Sequence, residues 1–318
     1  MSFDLRIVLR GTLFYQSRLR YIVRMKIDLH SHSSASDGEL SPADAALHAF
    51  EKGISVWALT DHDTCSGLRE AALVCAQKRI TFIPGIEITI EWHTGEFHLL
   101  GLGLRRLSDE LACVVEYLTE NRKKRNQTIA DKMNAAGCSV SLKEIEEEYA
   151  FSQLGRPHFA DFMVKRKLVK SRQEAFDRFL GKGKPWYEKT VGENLETAVE
   201  AILSAGGVAV MAHPLSICVS INKIESTLAY VQSKGVEGIE AWHPEARVAE
   251  AERLEQMAKK LGMFVTAGSD FHGEKVRKDR RLGKTSGGRQ IEARFWTEEL
   301  KPRLGDFDFT KSEWVNPR

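Results

Sequence analysis

Seven short apolar runs that alternate with helical patterns constrain the fold of this chain more than any other feature. Most of the runs are rich in β-branched residues, which is typical of strands buried on both faces of a parallel sheet. They cover residues 26–29, 55–59, 81–84, 98–102, 208–212, 238–241 and 263–267. The clearest helices between them begin at Ser41-Pro42, at Asn194 and at Arg247. This alternation predicts an α/β fold with a parallel sheet.

One stretch, 105–192, departs from the alternation. It is polar, has helical patterns over 116–136, 141–148 and 158–179, and contains no convincing strand. We therefore expect a helical insertion that covers one end of an α/β domain formed by 25–104 and 193–290. Residues 291–318 are left as a C-terminal tail.

The first 24 residues contain five arginines and one acidic residue, Asp4. Met25 is followed directly by the first predicted strand. We hypothesise that translation starts at Met25 and that 1–24 is an extension assigned in error.

The composition is that of a globular protein. The 318 residues include 46 Lys and Arg against 44 Asp and Glu, with 42% hydrophobic and 28% charged residues, which excludes a broadly disordered chain. No apolar run approaches the roughly 18–20 residues that a membrane helix needs, so we expect no membrane association. The five cysteines are scattered and form no CxxC pair, which argues against a disulfide framework and predicts a cytoplasmic protein.

Histidine and acidic residues fall at or beside the ends of six predicted strands. His30 and His32 end the first strand, and their spacing places both imidazoles on one face of an extended chain. The full set of nine is His30, His32, Asp37, His62, Glu87, His98, His213, Asp270 and His272. Functional residues at the carboxyl ends of strands are the rule in α/β barrels. We leave His48, His93 and His243 out of this set.

These nine residues predict a metal centre. A mixture of imidazole and carboxylate without thiolate suits zinc, manganese or iron. Nine ligands exceed the roughly four of one tetrahedral site, so two or three divalent ions are expected. Clustered ions are the usual apparatus of phosphoester hydrolysis, in which a hydroxide that bridges two ions attacks phosphorus.

Three motifs carry a resemblance to a known family. They are the segment 30–38 (HSHSSASDG), the segment 58–64 (ALTDHDT) and, in the helical stretch, 155–160 (GRPHFA). Together with the other ligand positions they resemble the polymerase and histidinol phosphatase (PHP) superfamily of metal-dependent phosphoesterases over residues 26–288. Within it the chain is most similar to the nucleoside 3′,5′-bisphosphate phosphatases and 5′→3′ exoribonucleases (ribonuclease AM). The resemblance implies a distorted (β/α)7 barrel with the insertion as a lid.

The resemblance also implies roles for individual residues. One metal site would use His30, His32, Glu87 and Asp270, a second Asp37, His62 and His272, and a third Glu87, His98 and His213. Manganese is the metal that the family usually prefers, while the ligand types also permit zinc or iron. Arg156 would hold a second phosphate, and His158 would donate a hydrogen bond or a proton to the leaving oxygen.

Four further residues have roles that the sequence leaves more open. Arg122 and Arg125 are spaced i, i+3 on one helix face and would either reach the nucleotide or form a solvated surface. Asp61 and Asp63 would orient His62 or neighbouring backbone.

The function expected from these features is hydrolysis of nucleotide phosphate esters. The substrate would be the 3′-phosphate of a nucleoside 3′,5′-bisphosphate, short RNA degraded from its 5′ end, or both, and no obligate protein partner is indicated. The alternatives are a histidinol-phosphate-type phosphatase and a non-catalytic nucleic-acid-binding PHP module. Residues 120–189 contain 16 basic and 10 acidic residues, so a basic lid would attract phosphate to an acidic barrel.

Overall fold

The computed structural model describes residues 25–149 and 153–316, and within them seven strands form one sheet. The strands lie side by side in chain order. They are β1 (Lys26–Asp28), β2 (Ile54–Leu59), β3 (Thr81–Ile90), β4 (Phe97–Leu102), β5 (Val208–Met211), β6 (Gly238–Trp242) and β7 (Phe264–Ala267). All seven predicted strands are therefore confirmed, although β3 continues six residues beyond its predicted end.

The expectation of a fully parallel sheet is wrong at one strand. β4 pairs antiparallel with both β3 and β5, whereas the other neighbouring strands pair in parallel. The reason is the short connection from Ile90 to Phe97, because a parallel crossover needs about a dozen residues or more. As a result β4 begins at the edge where the parallel strands end, and His98 pairs with Thr89 at the end of β3.

Helices connect the strands at most of the remaining positions. α1 (Pro42–Glu51), α2 (Leu68–Lys78), α7 (Leu195–Ser204), α8 (Ile221–Ser233) and α9 (Val248–Leu261) lie between strands. The predicted starts are confirmed, since Ser41 and Asn194 accept hydrogen bonds from backbone amides in the first turns of α1 and α7. α2 and α8 were not predicted individually.

The stretch predicted to be helical contains α3 (Asp109–Ala135), α4 (Leu142–Glu148), α5 (Arg156–Lys165), α6 (Arg172–Ala175) and a π-helical turn (Phe176–Leu180). The helix predicted over 158–179 is interrupted after Lys165, where Lys167 adopts a positive φ of 58°. Side chains of this stretch form a small hydrophobic cluster of their own, with Ile129, Phe159 and Met163 at its centre. α3 joins the two parts, since its first half packs in the larger core through Leu111 and Leu118.

The larger hydrophobic core lies around the sheet and includes the end of the chain. Trp296, Leu300 and Trp314, from the segment expected to be a tail, are buried in it. A second π-helical turn (Phe295–Leu300) and α10 (Lys301–Leu304) lie in this segment. The hypothesis about residues 1–24 concerns a part of the chain outside the described residues.

Two further expectations can be compared with the fold. None of the helices in 25–149 and 153–316 is long and apolar enough to cross a membrane. All five cysteines are unpaired, as predicted.

The segments that follow β1 and β7 are joined by backbone hydrogen bonds. The amide of Asp270 donates to the carbonyl of His30 over 3.0 Å, and that of His32 to the carbonyl of Phe271 over 2.8 Å. Beneath them the buried carboxylate of Asp28 accepts hydrogen bonds from the amides of His30, Ser269 and Gly283. Burial raises the pKa of Asp28 to about 6. The first and last strands therefore present their following residues next to each other.

Candidate metal centre

All nine residues predicted as metal ligands meet at the edge of the sheet where the parallel strands end. They belong to β3 and β4 and to the segments that follow β1, β2, β5 and β7. Three groups have donor atoms within 4.8 Å of one another. These are His30, His32, Glu87 and Asp270; His32, Asp37, His62 and His272; and His62, Glu87 and His98. The first group is the predicted first site, and the second contains the predicted second site.

Glu87 lies at the centre of the cluster, with both carboxylate oxygens used. Its Oε2 lies 3.2–3.3 Å from ring nitrogens of His30, His32 and His62. Its Oε1 lies 3.0 Å from His98 Nδ1 and 2.9 Å from His213 Nε2. Glu87 therefore contacts histidines of all three groups.

Two further carboxylates, those of Asp37 and Asp270, also contact histidines of the cluster. Asp270 Oδ1 lies 3.1 Å from His32 Nε2 and 3.5 Å from His30 Nε2. Asp37 Oδ1 lies 3.2 Å from His272 Nε2, and the rings of His32 and His272 stack at 4.1 Å. His32 thus stands between the two sets of donors.

The donor set fits divalent cations. The Nε2 atoms of His30 and His32 are 3.1 Å apart, and both face carboxylate oxygens. A single proton shared by these two nitrogens would leave neighbouring lone pairs and carboxylate charges unpaired. A divalent cation can instead be bound by all of these atoms together. Several buried ligand atoms have charged neighbours but form no hydrogen bond of suitable geometry among the described residues, namely His32 Nδ1, Asp37 Oδ1, His62 Nδ1 and His98 Nδ1. Unsatisfied buried polar atoms are costly unless something binds them.

Comparison with known proteins agrees with this geometry. A family model described as the PHP domain matches residues 28–180. A 5′-3′ exoribonuclease of Haemophilus influenzae is 32% identical over 247 residues, which are 78% of this chain and 90% of that protein. A 3′,5′-nucleoside bisphosphate phosphatase of Chromobacterium violaceum is 32% identical over 250 residues, 77% of this chain and 87% of that protein. The chain belongs to the PHP family.

A solved structure supports the same assignment. A protein from Chromobacterium violaceum, described as an amidohydrolase with bound sulfate and no metal, is 31% identical and has a TM-score of 0.77. The match covers 88% of this chain and 99% of that one. The predicted family is confirmed: this PHP protein is a metal-dependent phosphoesterase, a hydrolase that acts on phosphoester bonds.

The electrostatics of the PHP site favour cations. Burial alone would oppose ionisation, but the surrounding histidines hold the pKa values of Asp37, Glu87 and Asp270 well below the usual range. Burial lowers the pKa of His62 to about 4, which keeps its imidazole neutral and able to ligate. His32 differs: against the effect of burial, Asp270 and Glu87 raise its pKa to about 10. Metal binding at His32 must therefore release a proton.

Several buried residues around the PHP ligands hold them in place. Glu240 Oε1 lies 3.0 Å from His30 Nδ1, which turns Nε2 of that ring towards the cluster, and Glu240 Oε2 accepts from the amide of His213. Glu240 was not predicted from the sequence as part of the site. Two signals could have found it. It is an acidic residue inside an apolar run, and Gly238-Ile239-Glu240 has the same sequence as Gly85-Ile86-Glu87.

His243 also belongs to the surroundings of the site. Its Nε2 lies 3.3 Å from Asp270 Oδ2, the oxygen that faces away from His30 and His32, and its side chain is buried. His243 therefore contacts one of the predicted ligands. Arg280, which is buried, lies 3.8 Å from the same oxygen.

The two aspartates beside His62 act on backbone and neighbouring side chains. Asp61 accepts hydrogen bonds from the amide and hydroxyl of Ser33 and from the hydroxyl of Ser36, which fixes the loop that carries Asp37. Asp63 accepts from the amide and hydroxyl of Thr89 in β3. Neither contact involves the His62 ring, so their orienting effect passes through the backbone.

The backbone is strained at three positions of the site. Asp63, His213 and Asp270 have φ values of 53°, 24° and 51°, in the left-handed region that non-glycine residues rarely adopt. Such conformations cost of the order of 1–3 kcal/mol each and persist where surrounding contacts enforce them. Hydrogen bonds fix the amides at these positions: that of Asp63 donates to the carbonyl of Glu87, that of His213 to Glu240 Oε2, and that of Asp270 to the carbonyl of His30.

The predicted substrate residues lie above the metal cluster on the helical stretch. Arg156 Nη2 is 3.0 Å from Glu96 Oε1, two residues before His98, and its guanidinium lies over the Tyr187 ring at 5.2 Å. The Nδ1 atom of His158 accepts a hydrogen bond from the amide of Gly155, and burial lowers the pKa of this histidine. His158 is therefore neutral with its proton on Nε2.

Arg122 and Arg125 are both buried, so the alternative of a solvated helix face is wrong. Arg122 Nε donates to Asp63 Oδ2 over 2.7 Å. Arg125 donates to Thr190 Oγ1 and to the carbonyl of Leu154. Burial, followed by the charge of Arg122, lowers the pKa of Arg125 to about 9. Arg122 therefore connects the helical stretch to the segment that follows β2, whereas the contacts of Arg125 lie within the stretch.

Proposed function

We propose that this PHP phosphoesterase removes the 3′-phosphate from nucleoside 3′,5′-bisphosphates, releases 5′-nucleotides from short RNA, or does both. The observation that carries the proposal is a cation next to the metal cluster but outside it. Arg156 reaches Glu96, close to His98, and so offers a guanidinium to a second phosphate while the first lies on the ions. Relatives named as a bisphosphate phosphatase and as an exoribonuclease point to the same substrates.

Two or three divalent ions, with manganese as the first choice, would be held by the three ligand groups and by His213. Bound there, they would lower the pKa of a water molecule and hold the phosphoryl oxygens. The chain itself supplies the geometry: Glu87 fixes the spacing of the groups, and Glu240 fixes the direction of His30. The acidic cluster would attract the ions, and the basic helical stretch would attract the phosphates of the substrate.

His158 and the arginines would act on the substrate from above. With Nδ1 committed to Gly155, His158 has an Nε2–H group that can donate to the leaving oxygen. Arg122 and Lys123 line a cavity of about 320 Å³ between the helical stretch and the loops that follow β1 and β2. We propose that Arg122, and Arg125 beside it, contribute positive charge to nucleotide binding from this side.

The same proposal includes the architecture around the site. The sheet would be curled into a distorted (β/α)7 barrel, which is supported by the hydrogen bonds that join the segments after β1 and β7. Residues 105–192 would act as the lid, which is supported by their separate hydrophobic cluster and by the contact of Arg156 with Glu96. Neither a protein partner nor a membrane is needed for this activity.

A substrate panel tests the proposal. Adenosine 3′,5′-bisphosphate, a 5′-phosphorylated oligoribonucleotide and histidinol phosphate are incubated with the enzyme and manganese, zinc or iron(II). We expect release of phosphate from the bisphosphate or of mononucleotides from the RNA, with Asp37→Asn inactive and His48→Ala, at a residue of α1, fully active. Histidinol phosphate hydrolysed far faster than either nucleotide substrate would instead favour the second candidate, a histidinol-phosphate-type phosphatase.

A further inference from the structure

A turn rich in glycine and lysine follows the π-helical turn of the helical stretch. Its sequence is Gly181-Lys182-Gly183-Lys184, and it is called the lysine turn below. Gly183 has a φ of 77°, which a side chain would disfavour. The amide of Lys184 donates to the carbonyl of Gly181 over 3.0 Å, and that of Tyr187 donates to the carbonyl of Lys184 over the same distance. The backbone of the turn is therefore well defined.

The lysine turn is anchored to the helical stretch by the residues that follow it. The Trp186 amide donates to the Phe179 carbonyl, and the two rings stack at 4.3 Å. Lys132, on α3, donates to the carbonyl of Tyr187 over 2.7 Å. These contacts hold the turn in one place relative to α3, so its side chains project from a fixed base.

The anchored turn lies beside the substrate residues. Tyr187 lies under the guanidinium of Arg156, and Arg156 contacts Glu96 near the metal cluster. Lys189 pairs with Glu91, at the end of β3. The lysine turn is thus placed at the side of the site where Arg156 lies.

Some cations of the helical stretch are paired with carboxylates, and those of the lysine turn are not paired with any described residue. Lys165, Arg166, Arg172 and Arg178 each pair with a carboxylate of their own surroundings. Lys182 and Lys184 are exposed, and among the residues that the structure describes they have no ion-pair or hydrogen-bond partner through their ammonium groups. Two cations next to the site are therefore available to an external anion.

We propose that the lysine turn binds the phosphodiester backbone of a single-stranded RNA whose 5′-terminal nucleotide occupies the metal site. This inference rests on the proposed function and extends it to RNA. A nucleoside bisphosphate has no phosphodiester backbone that could continue past Arg156 to the lysine turn. Contacts to phosphate carry affinity without sequence preference. Trp186 is buried against Phe179, and Tyr187 is covered by Arg156, so neither ring is free to stack on a base. This favours binding of the RNA through its backbone.

The test compares three forms of the full-length enzyme. Lys182→Gln with Lys184→Gln removes both charges, and Lys182→Arg with Lys184→Arg keeps them. Lys78→Gln with Lys301→Gln is the matched control, because these exposed lysines line a cavity beside the amino-terminal ends of the strands. RNA binding is measured by fluorescence anisotropy at salt concentrations from about 50 to about 300 mM.

Each lost phosphate contact reduces the slope of log K against log salt by about 0.7 for single strands, so the double Gln variant should lose about 1.4. At 0.1 M salt this corresponds to roughly 25-fold weaker binding. The ratio of kcat/KM for the oligoribonucleotide to kcat/KM for the bisphosphate should fall by a similar factor. The Arg variant and the distant control should keep the wild-type slope and ratio.

The outcomes separate this inference from the proposed function. An unchanged slope and an unchanged ratio in the double Gln variant would overturn the role of the lysine turn. A loss of the same size in the control would also overturn it, since the effect would then come from net charge. If the wild-type enzyme hydrolyses neither nucleotide substrate, the proposed function fails, and the change in the RNA-binding slope still decides the inference.

Discussion

The metal cluster and the helical stretch differ in how their charged side chains are buried and paired. In the cluster, carboxylates are buried and each contacts several imidazoles, as Glu87 does with five. In the helical stretch most cations are exposed or half-buried, and many pair with one carboxylate nearby, as Lys165 does with Glu148. The cluster therefore depends on external cations to balance its charge, whereas many cations of the helical stretch already have a carboxylate partner in the chain.

The difference extends to how each region is held. The ligands come from segments spread over the whole sheet, so the larger hydrophobic core determines their spacing. The helical stretch has its own smaller cluster around Phe159 and meets the site through Arg156 and Arg122. The geometry of the predicted ligands and the proposed substrate contacts thus rest on two hydrophobic clusters, and we expect that each can be weakened separately.

The largest effect is expected at Glu87. Glu87→Gln removes the charge that five histidines share, and with it the bridge between the ligand groups. We expect at least about a thousandfold loss of kcat/KM, since several kcal/mol of charge stabilisation depend on the ions. The bound ions per chain, measured by mass spectrometry, should also fall. Glu51→Gln, at an exposed position of α1, is the control, and an ion content in Glu87→Gln equal to that of the control would contradict the bridging role.

The second effect should appear in the other region. Phe159 is fully buried in the smaller cluster, and Phe159→Ala should destabilise that region by about 3–5 kcal/mol through the cavity it leaves. Hydrogen exchange should accelerate in peptides from 129–186 but not in the strands, while the ion content is kept. Phe50→Ala, at an exposed aromatic residue of α1, should change neither. Loss of ions together with the helical stretch would show that the two regions are not separable.

Much of this comparison could be predicted from the sequence, and the reasons differ between the two regions. The strands and the nine ligands were found because short apolar runs and the polar residues at their ends are local patterns. The antiparallel β4 was missed because the same run of residues suits either direction, and only the short connection from Ile90 to Phe97 decides it. The sequence predicted a longer connection, because the predicted strand ended at residue 84 whereas β3 continues to Ile90.

Side-chain partners were less accessible to sequence reasoning. The i, i+3 spacing of Arg122 and Arg125 places them on one face but does not show what that face meets, and the carboxylate of Asp63 is 59 residues away. Glu240 was missed for the same reason, since its partner His30 lies 210 residues earlier. Contacts of this kind depend on tertiary packing, which no local pattern reports.

A smaller effect on the metal cluster is expected from Glu240. Glu240→Gln keeps the shape of the side chain but removes the charge that directs His30 Nε2 towards the ions. Loss of such a partner typically weakens metal affinity 10- to 100-fold. Isothermal titration with manganese measures this directly, and Glu237→Gln, at the position before β6, is the control. An affinity within twofold of the control would show that packing alone orients His30.

The smallest effect is expected where the two regions touch. If Arg156 binds a substrate phosphate as proposed, Glu96 competes for it. The ion pair of Arg156 with Glu96 is partly exposed, so it is worth about 1 kcal/mol or less. Glu96→Gln should therefore lower KM for the bisphosphate by up to about fivefold with kcat little changed, as steady-state kinetics at constant ionic strength would show. Glu91→Gln breaks another ion pair between the helical stretch and the end of β3, that with Lys189, without releasing Arg156. An equal fall of KM in both variants would mean that loosening the helical stretch, rather than freeing Arg156, governs substrate binding.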